Sequence, residues 1–258
     1  MKTHPPLERT ASWGRQGIAP LCRGKYVARQ GTGPADLAAA QALRARSFGL
    51  NALLDNDPFD AQSTHILVED TTDGALVCCY RLLALDGDSL AQSYAAQYYE
   101  LDALKAFGGR MLELGRFCIA PDRCDPDILR VAWAAMTDVV DRNGVQLLFG
   151  CSSFAGVEPE TYLDAFAVLR ARHLAPNRWL PGVKAPNVYR YAARLRRKPD
   201  AKKAMLRMPP LLRTYLMMGG WVSDHAVVDH QMKTLHVFTG LEIGAIPDNR
   251  KRLLRALV

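Results

Sequence analysis

Residues 111–144 read MLELGRFCIAPDRCDPDILRVAWAAMTDVVDRNG. The opening run, 111–120, is apolar and ends at Pro121, as a buried strand does. Asp125 and Pro126 then supply an N-cap and a proline for the first helical position. Ile128, Val131, Ala132, Ala135, Met136, Val139 and Val140 recur at helical spacing, and Asn143-Gly144 closes the helix. A second apolar run, 146–154, reads as a strand. Upstream, 34–48 reads as a helix begun by Pro34, with a short strand at 25–30 before it. The runs 65–69 and 75–85 flank Thr71-Thr72-Asp73-Gly74, a strand–turn–strand signal. A further helix is expected over 160–173. Helices set between buried strands predict an α/β or α+β fold.

The texture changes after about residue 174. Pro176, Pro181, Gly182 and Pro186 make a loop, and Pro209-Pro210 starts a helix reaching Met218. Strands are expected over 221–228 and 234–243, and a basic amphipathic helix over 250–257. The chain of 258 residues is 49% hydrophobic and 23% charged, enough to bury a real core. Its six cysteines form no C-x-x-C pair and read as reduced thiols rather than a zinc site. Residues 1–24, with Pro5, Pro6, Gly14, Gly17 and Pro20, read as a flexible arm and carry no secretory signal. No stretch approaches the roughly 18 apolar residues of a spanning helix, so a cytoplasmic protein is expected. The net charge of +7 suits an anionic partner. Nine basic residues against one acid, Asp200, lie between 190 and 213.

Glu113 sits inside an apolar strand, where a carboxylate is costly unless paired. It reads as a buried ion pair with Arg81 or Arg116, or as a general base. Asp57 and Asp60 sit in a turn, which Asp initiates well. Their other reading is a carboxylate pair for Arg44 or for an incoming ammonium group. Arg44, Arg81 and Arg116 set against three acids (Glu113, Asp57, Asp60) predict one network rather than separate pairs. Cys118 and Cys151 read as buried small hydrophobes.

Arg44, Phe48, Asp57-Pro58-Phe59-Asp60, Arg81-Leu82-Leu83 and Glu113-Leu114-Gly115-Arg116-Phe117 form an ordered series. It resembles the acyl-homoserine-lactone synthases, GNAT-fold enzymes that acylate an amino-acid amine from acyl carrier protein. Residues 147–154 (LLFGCSSF), Tyr162-Leu163-Asp164-Ala165, Arg172-His173-Leu174, Pro209-Pro210-Leu211-Leu212-Arg213-Thr214-Tyr215 and the stretch from Asp224 to Asp229 look like the ornithine-acyl carrier protein N-acyltransferases of bacterial aminolipid synthesis. The resemblance covers roughly residues 25–258. It implies a GNAT-like core over 25–190, a mixed sheet flanked by helices, with an extension over 191–258 completing the acyl site.

The implied reaction moves a 3-hydroxyacyl chain from acyl carrier protein to an amino-acid α-amine, ornithine first and glutamine next. Glu113 would be the catalytic base, acting through water. Arg44, Phe48, Asp57, Asp60, Arg81 and Arg116 would bind the acceptor or shape its pocket. Backbone N–H groups of Phe117, Cys118 and Ile119 would flank the thioester carbonyl. No metal or bound cofactor is implied; the donor is the acyl-phosphopantetheine of acyl carrier protein. GNAT enzymes using coenzyme A usually carry Q-x-x-G-x-G/A after the central strand, whereas this chain has Pro121-Asp122-Arg123-Cys124-Asp125-Pro126-Asp127. Acids repel phosphate and prolines remove amide donors, which disfavours coenzyme A. The basic residues Arg194, Arg196, Arg197, Lys198, Lys202 and Lys203 read as docking sites for acidic carrier protein or for the inner-membrane surface. Two rivals stand: a lactone synthase, which is shorter than this chain, and a non-enzymatic basic lipid- or nucleic-acid-binding module, for which no nucleic-acid motif is present.

Overall fold

The computed structural model describes residues 18–255. In chain order the elements are β1 (Leu21–Arg23), β2 (Tyr26–Gln30), α1 (Pro34–Ser47), β3 (Thr64–Asp70), β4 (Leu76–Leu85), β5 (Tyr99–Glu100), α2 (Asp102–Lys105), β6 (Met111–Ile119), α3 (Pro126–Asn143) and β7 (Leu147–Ala155). There follow α4 (Leu163–Arg172), β8 (Gly182–Val183), β9 (Val188–Tyr189), α5 (Tyr191–Arg194), α6 (Ala201–Arg207), α7 (Pro210–Met217), β10 (Trp221–Val222), β11 (Ala226–Asp229), β12 (Thr234–Glu242) and α8 (Asp248–Arg255). Most of the expected arm, residues 1–17, lies outside the described residues, while Leu21–Arg23 pairs antiparallel with β2. The expected strand 221–228 is two strands, because the Ser223 hydroxyl takes up backbone groups between them, donating to His225 O (2.7 Å) and accepting from Phe238 N (3.1 Å).

The chain forms two compact units. Among the described residues one comprises 18–85, 112–145 and 248–255; the other comprises 86–111 and 146–247. Neither unit has an edge at 190, where the GNAT-like core is expected to end.

In the first unit β1, β2, β3 and β4 pair antiparallel in sequence order, and β6 lies beside β4. Consecutive strand residues point to opposite faces. Cys79 lies 3.7 Å from the Ala40 carbonyl of α1, and the Tyr80 hydroxyl donates to Ala132 O of α3 at 2.9 Å. The two helices therefore cover opposite faces of this sheet. The start and stop of α3 follow its sequence: the Asp125 carboxylate accepts from Asp127 N, Pro126 occupies the first turn, and Gly144 adopts φ 59°, where a side chain would be strained.

In the second unit β7 and β12 form a long antiparallel ladder running from Leu147↔Glu242 to Ala155↔Thr234. β11 follows on β12, β9 on β11, and β10 also pairs with β12. α4 packs on this sheet through Phe166, whose ring meets Phe154 at 5.1 Å and stacks on Tyr191 at 5.0 Å. No helix among the described residues is long and apolar enough to cross a membrane.

Candidate active site

β6 carries the local feature that builds the site. Its Gly115 lies against the Arg81 side chain: a Cβ there would sit 3.1 Å from Arg81 Nε. Cys118 lies 3.6 Å, sulfur to sulfur, from Cys79. Arg81 and Cys79 both leave β4 toward the α1 face, so Gly115 and Cys118 must share that face. Strict alternation forbids this for residues three apart. The discrepancy is absorbed at Arg116, which takes φ 53°, a left-handed conformation rare outside glycine. Alternation on the N-terminal side of that irregularity puts Glu113 on the same face as Gly115. Phe117 turns the other way and stacks on Tyr80 at 5.5 Å.

On the α1 face four segments meet in a buried charge network. Arg44, from α1, spans the Asp60 carboxylate with two bonds, Nη1 to Oδ1 at 2.8 Å and Nη2 to Oδ2 at 2.7 Å. Its Nε lies 2.9 Å from an Asp55 carboxylate oxygen, and its Nη2 also donates to the Asp55 carbonyl. Arg81, from β4, donates to Asp60 at 2.8 Å and Asp57 at 3.2 Å. Arg116 closes the set on Asp55 (2.9 Å) and Asp57 (2.6 Å). Gln41 adds a bond to Asp60 at 2.9 Å. The acids come from a turn in which Asp57 also caps its own segment, accepting from Phe59 N at 2.9 Å. Only 1% of Arg44 and 3% of Arg81 is exposed, so these charges survive burial only through one another. Burial pushes the Asp60 carboxyl up, but the bonds from Arg44, Gln41 and Arg81 outweigh it and hold it well below the usual carboxylate range. Burial likewise opposes charge on Arg44, and Asp60 and Asp55 more than offset it.

Arg44, Arg81 and Arg116 thus meet Asp57 and Asp60 as the sequence predicts, and Asp55, which gave no signal in the sequence, joins them. Glu113 is buried, 4% exposed, on the same face. Phe48 ends α1 and packs against an apolar cluster that includes Leu43, Cys79, Cys118 and Ala120. The Cys118 side chain is core, and the carbonyl of Ile119 accepts from the Ser47 hydroxyl at 3.2 Å. The neighbouring Cys118 thiol and burial push the Cys79 thiol well up, which is unlike a nucleophile.

The N-terminus of α3, where a pyrophosphate would sit in a coenzyme A enzyme, already holds the Asp125 carboxylate. Asp125 also accepts from the Tyr26 hydroxyl at 2.9 Å, and Arg123 is engaged by Asp70 (3.3 Å) and Asp73 (2.6 Å).

The six basic residues singled out by charge belong to the second unit. Arg194 lies over the Tyr189 ring, 5.9 Å from its centroid, and Arg196 donates to the main-chain carbonyl of Leu195 at 3.1 Å. Arg197 pairs with Asp164 at 2.8 Å and Lys203 with Asp200 at 3.6 Å. Lys198 and Lys202 are exposed.

Residues 41–134 match the acetyltransferase (GNAT) domain family. The L-ornithine N(alpha)-acyltransferase of Rhodobacter capsulatus is 30% identical over 250 residues, covering 90% of this chain and 95% of that protein. This chain belongs to the L-ornithine N(alpha)-acyltransferase family. A second member, from Rhizobium meliloti, is 32% identical over 234 residues, 82% of this chain and 78% of its own length. Family membership makes the protein a GNAT-fold N-acyltransferase. A solved N-acyl amino acid synthase from uncultured soil microbes shares the fold at 11% identity, with a TM-score of 0.51 over 93% of this chain and 99% of that one.

Proposed function

We propose that this protein transfers a 3-hydroxyacyl chain from the phosphopantetheine thioester of acyl carrier protein to the α-amine of ornithine, giving a lyso-aminolipid. The observation that carries the reading is the relationship to ornithine acyltransferases along nearly the whole chain. In the reaction the acceptor ammonium first loses a proton, the neutral amine attacks the thioester carbonyl, the C–S bond breaks, and a second proton from the attacking nitrogen leaves with pantetheine as the thiol. Glu113 receives the amine proton through water; its burial beside the network supports that role. Backbone N–H groups of residues 117–119 bind the oxyanion. The irregularity at Arg116 supports this, because such an insertion interrupts strand pairing locally. The Arg44–Asp55–Asp57–Asp60–Arg81–Arg116 network holds the acceptor pocket in shape, and Phe48 lines it.

The donor assignment rests on the capped start of α3. A carboxylate already accepts there, Pro126 has no N–H, and Asp127 adds a second negative charge. A carrier protein presents only phosphopantetheine and avoids that end. The basic segment around 194–203 serves docking, either to the acidic carrier protein or to the inner-membrane surface. The test is steady-state kinetics with the same 3-hydroxyacyl group on carrier protein or on coenzyme A, with ornithine or glutamine as acceptor, and products read by mass spectrometry. Carrier-protein donor and ornithine should give the higher kcat/KM. Equal efficiency with both donors sinks the donor assignment, and preference for glutamine sinks the acceptor.

A further inference from the structure

The outward face of α6 is built unlike a solvated helix. Asp200 caps its start, its carboxylate accepting from Lys202 N (3.0 Å) and Lys203 N (3.1 Å). Ala204 is fully buried and marks the pole that packs on α4. At about 100° per residue the opposite pole falls between Lys202 and Leu206, with Met205 beside them. Polar residues belong at that pole in a helix lying on a protein core. Instead Leu206 is 77% exposed and Met205 48%. A single exposed leucine needs no explanation. Here two apolar side chains crown one turn inside the most basic stretch of the chain, whose only acid, Asp200, is committed to capping. Lys202, Lys203 and Arg207 flank the apolar pair and are exposed.

Cations alone would serve an acidic protein surface. A leucine and a methionine raised between them fit a partner that is anionic at its surface and apolar just below it. We propose that α6 docks the protein on an anionic lipid bilayer, with Leu206 and Met205 entering the headgroup–acyl boundary and the surrounding lysines and arginines on lipid phosphates. This deepens the docking part of the reading above by choosing its partner, and its test needs no acyl transfer.

The test is co-sedimentation of the whole protein with vesicles of phosphatidylcholine, alone or mixed with phosphatidylglycerol. Binding to the mixed vesicles and little to the neutral ones is expected. Leu206→Ser with Met205→Ser keeps every charge and should weaken partitioning at least about tenfold. Lys202→Gln should weaken it about fivefold, and more at low salt than at high. All three side chains are exposed, so the variants should melt with the parent. Failure of the parent to bind phosphatidylglycerol vesicles overturns the proposal. Parental binding by the double serine variant also overturns it, because the contact is then charge alone. If these variants instead raise the KM for acyl carrier protein while vesicle binding is unchanged, α6 is the carrier-protein site and the membrane assignment is wrong. Loss of activity with all donors and acceptors leaves vesicle binding intact, so failure of the proposed reaction is read separately.

Discussion

At the scale of single residues the two kinds of buried carboxylate in this site make different demands. Asp60 neutralises Arg44 and Arg81 at once. Asp60→Asn keeps the shape and leaves two buried cations short of a counter-charge, at a cost of about 3–5 kcal/mol. A large drop in melting temperature is expected, and an unchanged melting curve would contradict the network as drawn. Glu113 is placed on the same face, but its proposed work is on the acceptor amine. Glu113→Gln should cut turnover about 10²–10⁴-fold at neutral pH, with recovery at high pH where the free amine is abundant. A folded Glu113→Gln protein with parental turnover across the pH range removes the residue from the mechanism. Arg44, Arg81 and Arg116 were legible as a network with Asp57 and Asp60 because three arginines set against nearby acids compensate one another better together than in separate pairs. Asp55 was not, since an acid in a loop before a turn looks solvated. The backbone reversal at Arg116 was also hidden. Positive φ has no mark in the sequence unless a glycine adopts it, and here the glycine is one place earlier.

Among the elements, those with strong punctuation were read correctly. The Asp125-Pro126 start and Gly144 end of α3 are where the sequence puts them, as is the turn between β3 and β4. The expected helix over 160–173 begins only at Leu163, because the turn led by Pro159 is a tight 3₁₀ one. Residues 86–108 gave no expectation; their short turns, β5 and α2 have no repeating period to read. In β12 one glycine has a steric duty. Gly240 pairs in register with Trp221, whose ring crosses the glycine and continues into a stack on Phe238 at 5.9 Å. A Cβ on residue 240 would run into the buried indole. Gly240→Ala should therefore destabilise the protein by about 1–3 kcal/mol. Differential scanning calorimetry should show a drop of roughly 2–12 °C in Tm; a rise in Tm would contradict the packing described.

Across the whole molecule, buried imidazoles tie stability to pH. Burial pushes His236 in the second unit down to about 4 and lowers His65 in the first. A histidine whose folded pKa is depressed adds stability above its unfolded pKa, near 6.5, and loses it as pH falls through the folded value. His236 alone accounts for about 3 kcal/mol over that window. Asp60 acts in the same direction, its contribution fading once pH drops below about 4. Melting temperature should therefore fall steeply between pH 6.5 and 4. His236→Asn should flatten the loss; an equally steep fall in that variant assigns the effect elsewhere.

The division of the chain into units also sets an order of events during synthesis. The chain leaves the first unit after residue 85, returns for 112–145, leaves again, and comes back at 248 with α8. α8 packs on α3, where Arg255 clasps Asp141 through two bonds of 2.9 and 3.0 Å. The second unit, by contrast, has its last residue at 247. The first unit is therefore assembled from stretches far apart in the chain, while the second closes without any residue beyond 247. The site-bearing unit is begun before the other and completed after it, so its α3 surface stays uncovered until Asp248–Arg255 has been made.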